Sequence, residues 1–105
     1  MPTQLTLTHG RTSAGGSLLT VAGEIDMSNS TTLADAIDDV RGPLVVDLTG
    51  VEYLDSAGLN VLFAHAERLE IVATPLLQPV LAVSGLARLV EVRLRPDDDT
   101  GTPPR

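Results

Sequence analysis

Ser56 is the residue best placed to do chemistry in this chain. It stands in Val51-Glu52-Tyr53-Leu54-Asp55-Ser56-Ala57-Gly58-Leu59, where an apolar segment gives way to a helical pattern. A hydroxyl at a helix start lies among four backbone N–H groups that lack intrahelical partners. The helix dipole adds roughly half a positive charge at the same point. Such a position tolerates a phosphate, which brings negative charge and strong acceptor oxygens. The commoner use of Asp and Ser before a helix is a plain cap. Two details favour a modifiable serine instead. Asp55 already supplies a cap, and Gly58 in the first turn costs about 1 kcal/mol of helix stability against alanine. A glycine there makes sense if another chain must approach the backbone closely.

Asp26, in Gly23-Glu24-Ile25-Asp26, is the second candidate. On its own it reads as a helix cap. It gains a role if two strand-to-helix corners lie side by side at one edge of a parallel sheet, where partner sites of α/β sheets gather. Asp26 would then stand near Ser56, order its hydroxyl and repel a phosphate.

Other chemistries find less support. A serine hydrolase needs a base and an oxyanion hole, and the only histidines are His9 and His65. His65 lies about two and a half helical turns beyond Ser56, roughly 13 Å along the axis. There is no G-x-S-x-G elbow and no phosphate loop of the G-x-x-x-x-G-K type. Without cysteine, disulfides, thiol catalysis and cysteine-ligated zinc are excluded. Asp97, Asp98 and Asp99 read as a solubilising run rather than a metal site. We expect no enzymatic activity, no metal and no cofactor.

Charge and composition narrow the partners. The net charge of −7 argues against nucleic acid, which needs a basic footprint, and against docking on anionic lipid. The start of the chain has no basic region followed by a long apolar run, so no signal peptide is visible, and no stretch approaches a membrane span. A soluble, cytoplasmic protein is expected. With 105 residues, 43% of them apolar, the chain suits one domain and one core. Tyr53 and Phe63 are its only aromatics, so the core must be built from Leu, Val, Ile and Ala.

The elements that must position Ser56 follow from hydrophobic periodicity. Gln4–His9 and Ser17–Ala22 alternate and flank a Gly/Ser/Thr turn, which reads as a hairpin. A helix runs from about Ser28 or Ser30 to Val40, with Leu33, Ile37 and Val40 on one stripe and Asp26, Ser28 or Ser30 as its cap. Asp35, Asp38 and Asp39 face solvent at the end the dipole disfavours. Arg41-Gly42-Pro43 stops that helix. Leu44–Leu48 reads as a strand buried on both faces, ended by a turn at Thr49-Gly50. A second helix starts at Ser56 with the stripe Leu59, Leu62, Phe63, Ala66 and Leu69, and leads into a strand over Glu70–Thr74. Leu76–Ser84 fits a short helix with Pro79 in its first turn and Gly85 at its end. Leu89–Leu94 fits a last strand or helical turn. The order is β-β-α-β-α-β-α, an α/β fold with a mixed sheet and helices packed on it. The domain spans residues 1–95, and the acidic, proline-rich residues 96–105 are expected to be a disordered tail.

Four blocks together resemble a known family. Gly23-Glu24-Ile25-Asp26, Val45-Val46-Asp47-Leu48-Thr49-Gly50-Val51, Leu54-Asp55-Ser56-Ala57-Gly58-Leu59 and Val83-Ser84-Gly85-Leu86 are similar, in order, to the motifs of the STAS domain, the bacterial anti-sigma-factor antagonist family. The resemblance covers residues 4 to 94. It implies a partner switch in transcription regulation and stress response. The unphosphorylated antagonist binds an anti-sigma factor with serine kinase activity and releases a sigma factor. Phosphorylation of the motif serine, here Ser56, abolishes binding, and a serine phosphatase restores it. The implied contact surface is Asp26, Met27, Ser28, Asp55, Ser56, Ala57, Gly58, Leu59 and Asn60. Ala57 replaces the hydroxyl residue that commonly follows the motif serine, which leaves Ser56 the sole acceptor in the motif. The stretch from Leu59 to Ile71 is shorter than usual, so Arg68-Leu69-Glu70 is expected to connect helix to strand. The alternative is a non-switching STAS scaffold in a signalling or transporter-associated complex. A monomer or weak dimer is expected, with the hairpin edge at Leu5–Leu7 open to pairing.

Overall fold

Alternating apolar residues build the sheet on which the Ser56 corner rests. The computed structural model describes residues 4–95; the tail expected over 96–105 lies outside them. The strands are β1 (Thr6–Arg11), β2 (Ser17–Ile25), β3 (Leu44–Leu54), β4 (Leu69–Ala73) and β5 (Glu91–Leu94). The helices are α1 (Ser30–Asp38), α2 (Ser56–Ala64) and α3 (Gln78–Ser84). One five-stranded sheet has the order β1-β2-β3-β4-β5. β1 is antiparallel to β2, and each later pair is parallel. This is the expected mixed α/β architecture.

Strand order equals chain order, so right-handed crossovers carry all three helices to one face. That face holds the core. Leu19, Val21 and Ile25 of β2, Leu44, Val46 and Leu48 of β3, and Ile71 of β4 meet Leu33 and Ile37 of α1, Leu62 of α2 and Leu81 of α3. β3 is therefore not buried on both faces as expected. Val45 and Asp47 point to the open face and are only half-buried. There Asp47 accepts hydrogen bonds from the Thr49 N–H at 2.8 Å and the Thr49 hydroxyl at 2.7 Å.

Thr49-Gly50 is not a turn either. β3 runs on through it to Leu54. The pairing with β2 shifts twice, between Thr20 and Ala22 and between Gly23 and Glu24. Each shift places one extra residue on β3, a bulge that bends and twists the strand. Gly50 permits this, since a Cβ on it would lie 2.9 Å from Ala22 Cβ. The second half of β3 thus projects past the end of β4 and carries Ser56 with it.

The caps also differ from expectation. Asn29, rather than Asp26, Ser28 or Ser30, precedes α1, and its side chain makes no cap bond. The helix stops at Asp38, short of Val40. α2 ends at Ala64, followed by a 3-10 turn at Ala66–Arg68. That turn, and not Arg68-Leu69-Glu70, makes the connection, because Leu69 already pairs with Leu44 in the sheet. Arg68 donates to Gly42 O at 2.7 Å and Ile37 O at 2.8 Å. It thereby satisfies carbonyls at the end of α1 and offsets the acids there. α3 starts at Gln78, two residues later than the expected Leu76, but Pro79 lies in its first turn and Gly85 closes it at φ 90°, as expected. A 3-10 turn at Leu86–Arg88 then leads into β5. Among the described residues no helix is long and apolar enough to cross a membrane.

Candidate functional site

Two strand-to-helix corners meet at the outer end of β2 and β3. Ile25 pairs with Leu54, and the Asp55 N–H donates to Ile25 O at 3.1 Å. This bond ties the start of α2 to the corner that leads into α1. It juxtaposes the two motifs that the sequence separates by about thirty residues.

Asp55 is the cap of α2. It has an extended backbone, and its Oδ1 accepts from the Ala57 N–H at 2.8 Å and the Gly58 N–H at 3.2 Å. Ser56 is relieved of capping. It is exposed at the first helical position, and no side-chain hydrogen bond among the described residues holds its hydroxyl. Asn60, one turn on, is also exposed, while Ala57 and Leu59 are half-buried.

Gly58 corrects the sequence reading. It is buried, so no second chain reaches its backbone. A Cβ there would lie 2.5 Å from Ile25 Cγ2 and 2.6 Å from Leu54 Cδ1. The close approach is α2 against its own sheet. Leu54 Cδ1 is the end of a flexible side chain, but Ile25 Cγ2 is borne on a β-branched carbon and yields only by a restricted χ1 rotation. Gly58→Ala is therefore expected to cost about 1–2 kcal/mol, overpacking outweighing the gain of about 1 kcal/mol in helix propensity. A urea melt measures this, and a melt unchanged from wild type contradicts the packing.

Asp26 belongs to its own turn rather than to Ser56. Its Oδ1 accepts from the Ser28 N–H at 2.9 Å and from the Ser28 hydroxyl. The expectation that it orders the Ser56 hydroxyl is not met. Asn29 braces the same turn: its Oδ1 accepts from the Asp26 N–H and its Nδ2 donates to Glu24 O, both at 2.9 Å. The Ser28 hydroxyl and N–H hold the Asp26 carboxyl below the ordinary carboxylate range, since both bonds favour the charged form. The folded pKa is depressed, so this contribution to stability is present above pH 3.8, the ordinary value, and is lost as pH falls through the lower folded value. Asp26→Asn is expected to flatten that part of the acid-unfolding curve. An acid limb identical to wild type would contradict the turn's role.

The rest of the corner is open. Met27 is 79% exposed, and Tyr53, paired in register with Glu24, is 51% exposed. Tyr53 was missed in the sequence; its place beside the Ser56 motif in a chain with two aromatics was the available signal. A groove of about 370 Å³ runs along Gln4, Leu5, Glu24, Asp26, Ser28, Asn29 and Thr32. The sheet edge that carries both corners is thus shallow and acidic, with Met27 exposed in the Asp26 turn and Tyr53 on the helix-free face, a shape for a protein partner rather than a small substrate.

Neither histidine serves Ser56. His65 follows the far end of α2, with Nδ1 against Val61 O at 2.8 Å and Nε2 against Asp38 Oδ1 at 2.9 Å. It bolts α2 to α1. His9 pairs with Leu19, six residues back along β2 from Ile25 and so about 20 Å away.

A family model described as "Mlab, STAS domain" matches residues 9–91. The anti-sigma-F factor antagonists RsfB of two Mycobacterium tuberculosis strains, CDC 1551 / Oshkosh and ATCC 25618 / H37Rv, are each 39% identical over 59 residues. The match covers 52% of this chain and 48% of each relative, so the chain spans about half the length of the curated relatives it matches. The crystal structure of an anti-sigma factor antagonist from Mycobacterium paratuberculosis superposes with a TM-score of 0.78 at 31% identity. That superposition covers 89% of this chain and 88% of the other. A putative anti-sigma factor antagonist from Thermotoga maritima reaches a TM-score of 0.62 at 14% identity over 88% and 86% of the two chains, a likeness of fold.

Proposed function

Because the chain belongs to the STAS domain family, we propose that it is an anti-sigma-factor antagonist switched by phosphorylation at Ser56. In this reading it binds an anti-sigma factor that is also a serine kinase, and so frees a sigma factor for transcription in a stress response. Phosphorylation by the bound kinase ends the interaction, and a serine phosphatase resets it. The chain is a cytoplasmic binding protein that catalyses nothing itself.

One observation carries this reading: Ser56 is exposed at the start of α2 with its hydroxyl uncommitted, because Asp55 does the capping. A kinase can reach such a hydroxyl without unfolding the helix. The neighbouring carboxylates Asp26 and Asp55 make the corner a poor place for two more negative charges at an interface. The contact surface is Asp26, Met27 and Ser28 with Asp55, Ser56, Ala57, Leu59 and Asn60; Tyr53 extends it, and Gly58 supports it from beneath. The names of the mycobacterial relatives support the partner class.

The test is a pull-down from the native host's lysate with wild type, Ser56→Ala and Ser56→Asp as baits. A kinase-like anti-sigma factor retained by wild type and Ser56→Ala but lost with Ser56→Asp is the expected result. Equal retention of one partner by all three baits would favour a constitutive STAS scaffold.

A further inference from the structure

We propose that the chain forms a two-fold homodimer by pairing the outer edge of β5 with the β5 edge of a second copy, antiparallel, which continues the sheet across the axis. This goes beyond the switch at Ser56 and does not depend on it.

The register of β5 defines the edge. Among the described residues β5 pairs only with β4. Ala73 pairs with Leu94, and the Arg95 N–H donates to Ala73 O at 2.7 Å. Main-chain groups alternate in direction along a strand, so Glu91, Arg93 and Arg95 turn theirs toward β4 while Val92 and Leu94 turn theirs outward. The side chains alternate as well. Val92 and Leu94 share the helix-covered face with Ile71 and Ala73. Glu91 and Arg93 lie on the open face, where their side chains are each 65% exposed and Arg93 Nε stands 3.5 Å from Glu91 Oε2 of the same chain.

Charge selects the register. A dyad through Val92 sets Val92 against itself as a hydrogen-bonded pair, since its N–H and C=O point outward. It sets Glu91 against Arg93 of the second copy, twice. Those positions are non-hydrogen-bonded, where facing side chains approach closest. A dyad through Glu91 or Arg93 would instead oppose like charges. The strand is self-complementary in one register, as a two-fold interface requires.

A separate observation points to the same edge. Among the described residues seven large apolar side chains are exposed, and five of them (Leu76, Val80, Val83, Leu89 and Leu94) fall between the end of β4 and the end of β5. Val80 and Val83 lie on the exposed side of α3, opposite its buried Leu81, and Leu76 lies in the turn that precedes the helix. α3 connects β4 to β5, so Val80, Val83 and Leu89 lie on the segment that leads into the edge strand, and Leu94 lies on the strand itself. Exposed apolar groups gathered beside an unpaired strand mark an interaction surface. The β1 edge (Thr6, Leu7, Thr8, His9, Gly10, Arg11) lacks the alternating opposite charges, and its apolar residues Leu5 and Leu7 are half-buried against the core. The dyad lies two strands from β3, so both Ser56 corners stay open on the dimer.

The test is the mass of the full chain by sedimentation equilibrium from micromolar to millimolar concentration. We expect a shift from 11.0 kDa toward twice that value. Glu91→Arg and Arg93→Glu each place like charges at both contacts and should weaken dimerisation about tenfold or more. An equimolar mixture of the two variants restores opposite charges at both contacts and should recover a heterodimer. A β5 merely loosened by loss of its own ion pairs, Arg93–Glu70 at 2.7 Å and Arg93–Glu91 at 3.5 Å, would gain nothing from mixing. Val92→Pro removes an outward N–H that β4 does not use, and should abolish the dimer while circular dichroism shows an intact fold. A chain that stays monomeric throughout the range, a dimer indifferent to both charge variants, or a mixture that fails to reassociate would overturn the proposal.

Discussion

Gly23→Ala is expected to lower stability by about 3 kcal/mol or more, a large share of the roughly 5–15 kcal/mol that holds a domain of this size. Two penalties fall on one methyl group. Gly23 has φ +102°, a conformation that costs an L-residue about 1–3 kcal/mol. The new Cβ would also run into the backbone of Gln4 and Leu5, its nearest contact being Gln4 O. Backbone has no rotamer to change, so β1 would have to lift off β2 or the bulge at Gly23–Glu24 would have to straighten. For a chain this short the melting temperature should fall by roughly 15 °C. Gly10→Ala is the control: nothing lies within 4 Å of its added methyl, and it should stay within about 0.5 kcal/mol of wild type. Thermal and urea unfolding of the two variants check this, and equal losses in both would refute the account of the bulge. The consequence reaches the site, because this bulge sets the path of β2 into the Asp26 turn.

Phosphoserine at position 56 is expected to weaken binding of the anti-sigma factor by about 30- to 150-fold, equivalent to a coupling of 2–3 kcal/mol. The added group carries about −1.5 to −2 charge into a corner that already holds Asp26 and Asp55. It must also be desolvated at a surface fitted to a bare hydroxyl. Ser56→Ala removes one exposed hydroxyl and should change affinity by less than about threefold. Ser56→Asp should fall between the two, since a carboxylate has less charge and fewer acceptors. Titration calorimetry with the purified partner measures all three. Raising the salt concentration should recover part of the loss, because charge repulsion is screened while steric clash is not. A phosphorylated chain that binds like wild type would remove the switch from the mechanism.

Much of this was legible before any coordinates. The order of strands and helices, the Pro79 and Gly85 boundaries of α3, and Asp55 as the cap of α2 all follow from neighbours within a few residues. Such features depend on backbone preference and local periodicity, which a sequence displays directly. The readings that changed were those in which distant segments decide. The Thr49-Gly50 pair has turn chemistry, yet Ala22 across the strand accepts Gly50 only because it lacks a side chain, and β3 continues. The Ala66–Leu69 segment has helical spacing, yet Leu69 is captured by Leu44 of the sheet, and the helix stops early.

By itself, the sequence determined that there is one sheet with helices, that Ser56 opens a helix, and that Asp55 relieves it of capping. These are short-range consequences of residue type. The tertiary structure decided which face of β3 is covered, since that depends on every crossover taking the same side. It decided that Gly58 admits the sheet rather than a partner, and that Asp26 serves Ser28 rather than Ser56. It also decided that Tyr53 and Met27 are exposed. Each of these depends on register and on the direction of approach between elements far apart in the chain. Such geometry arises only when the strands pair.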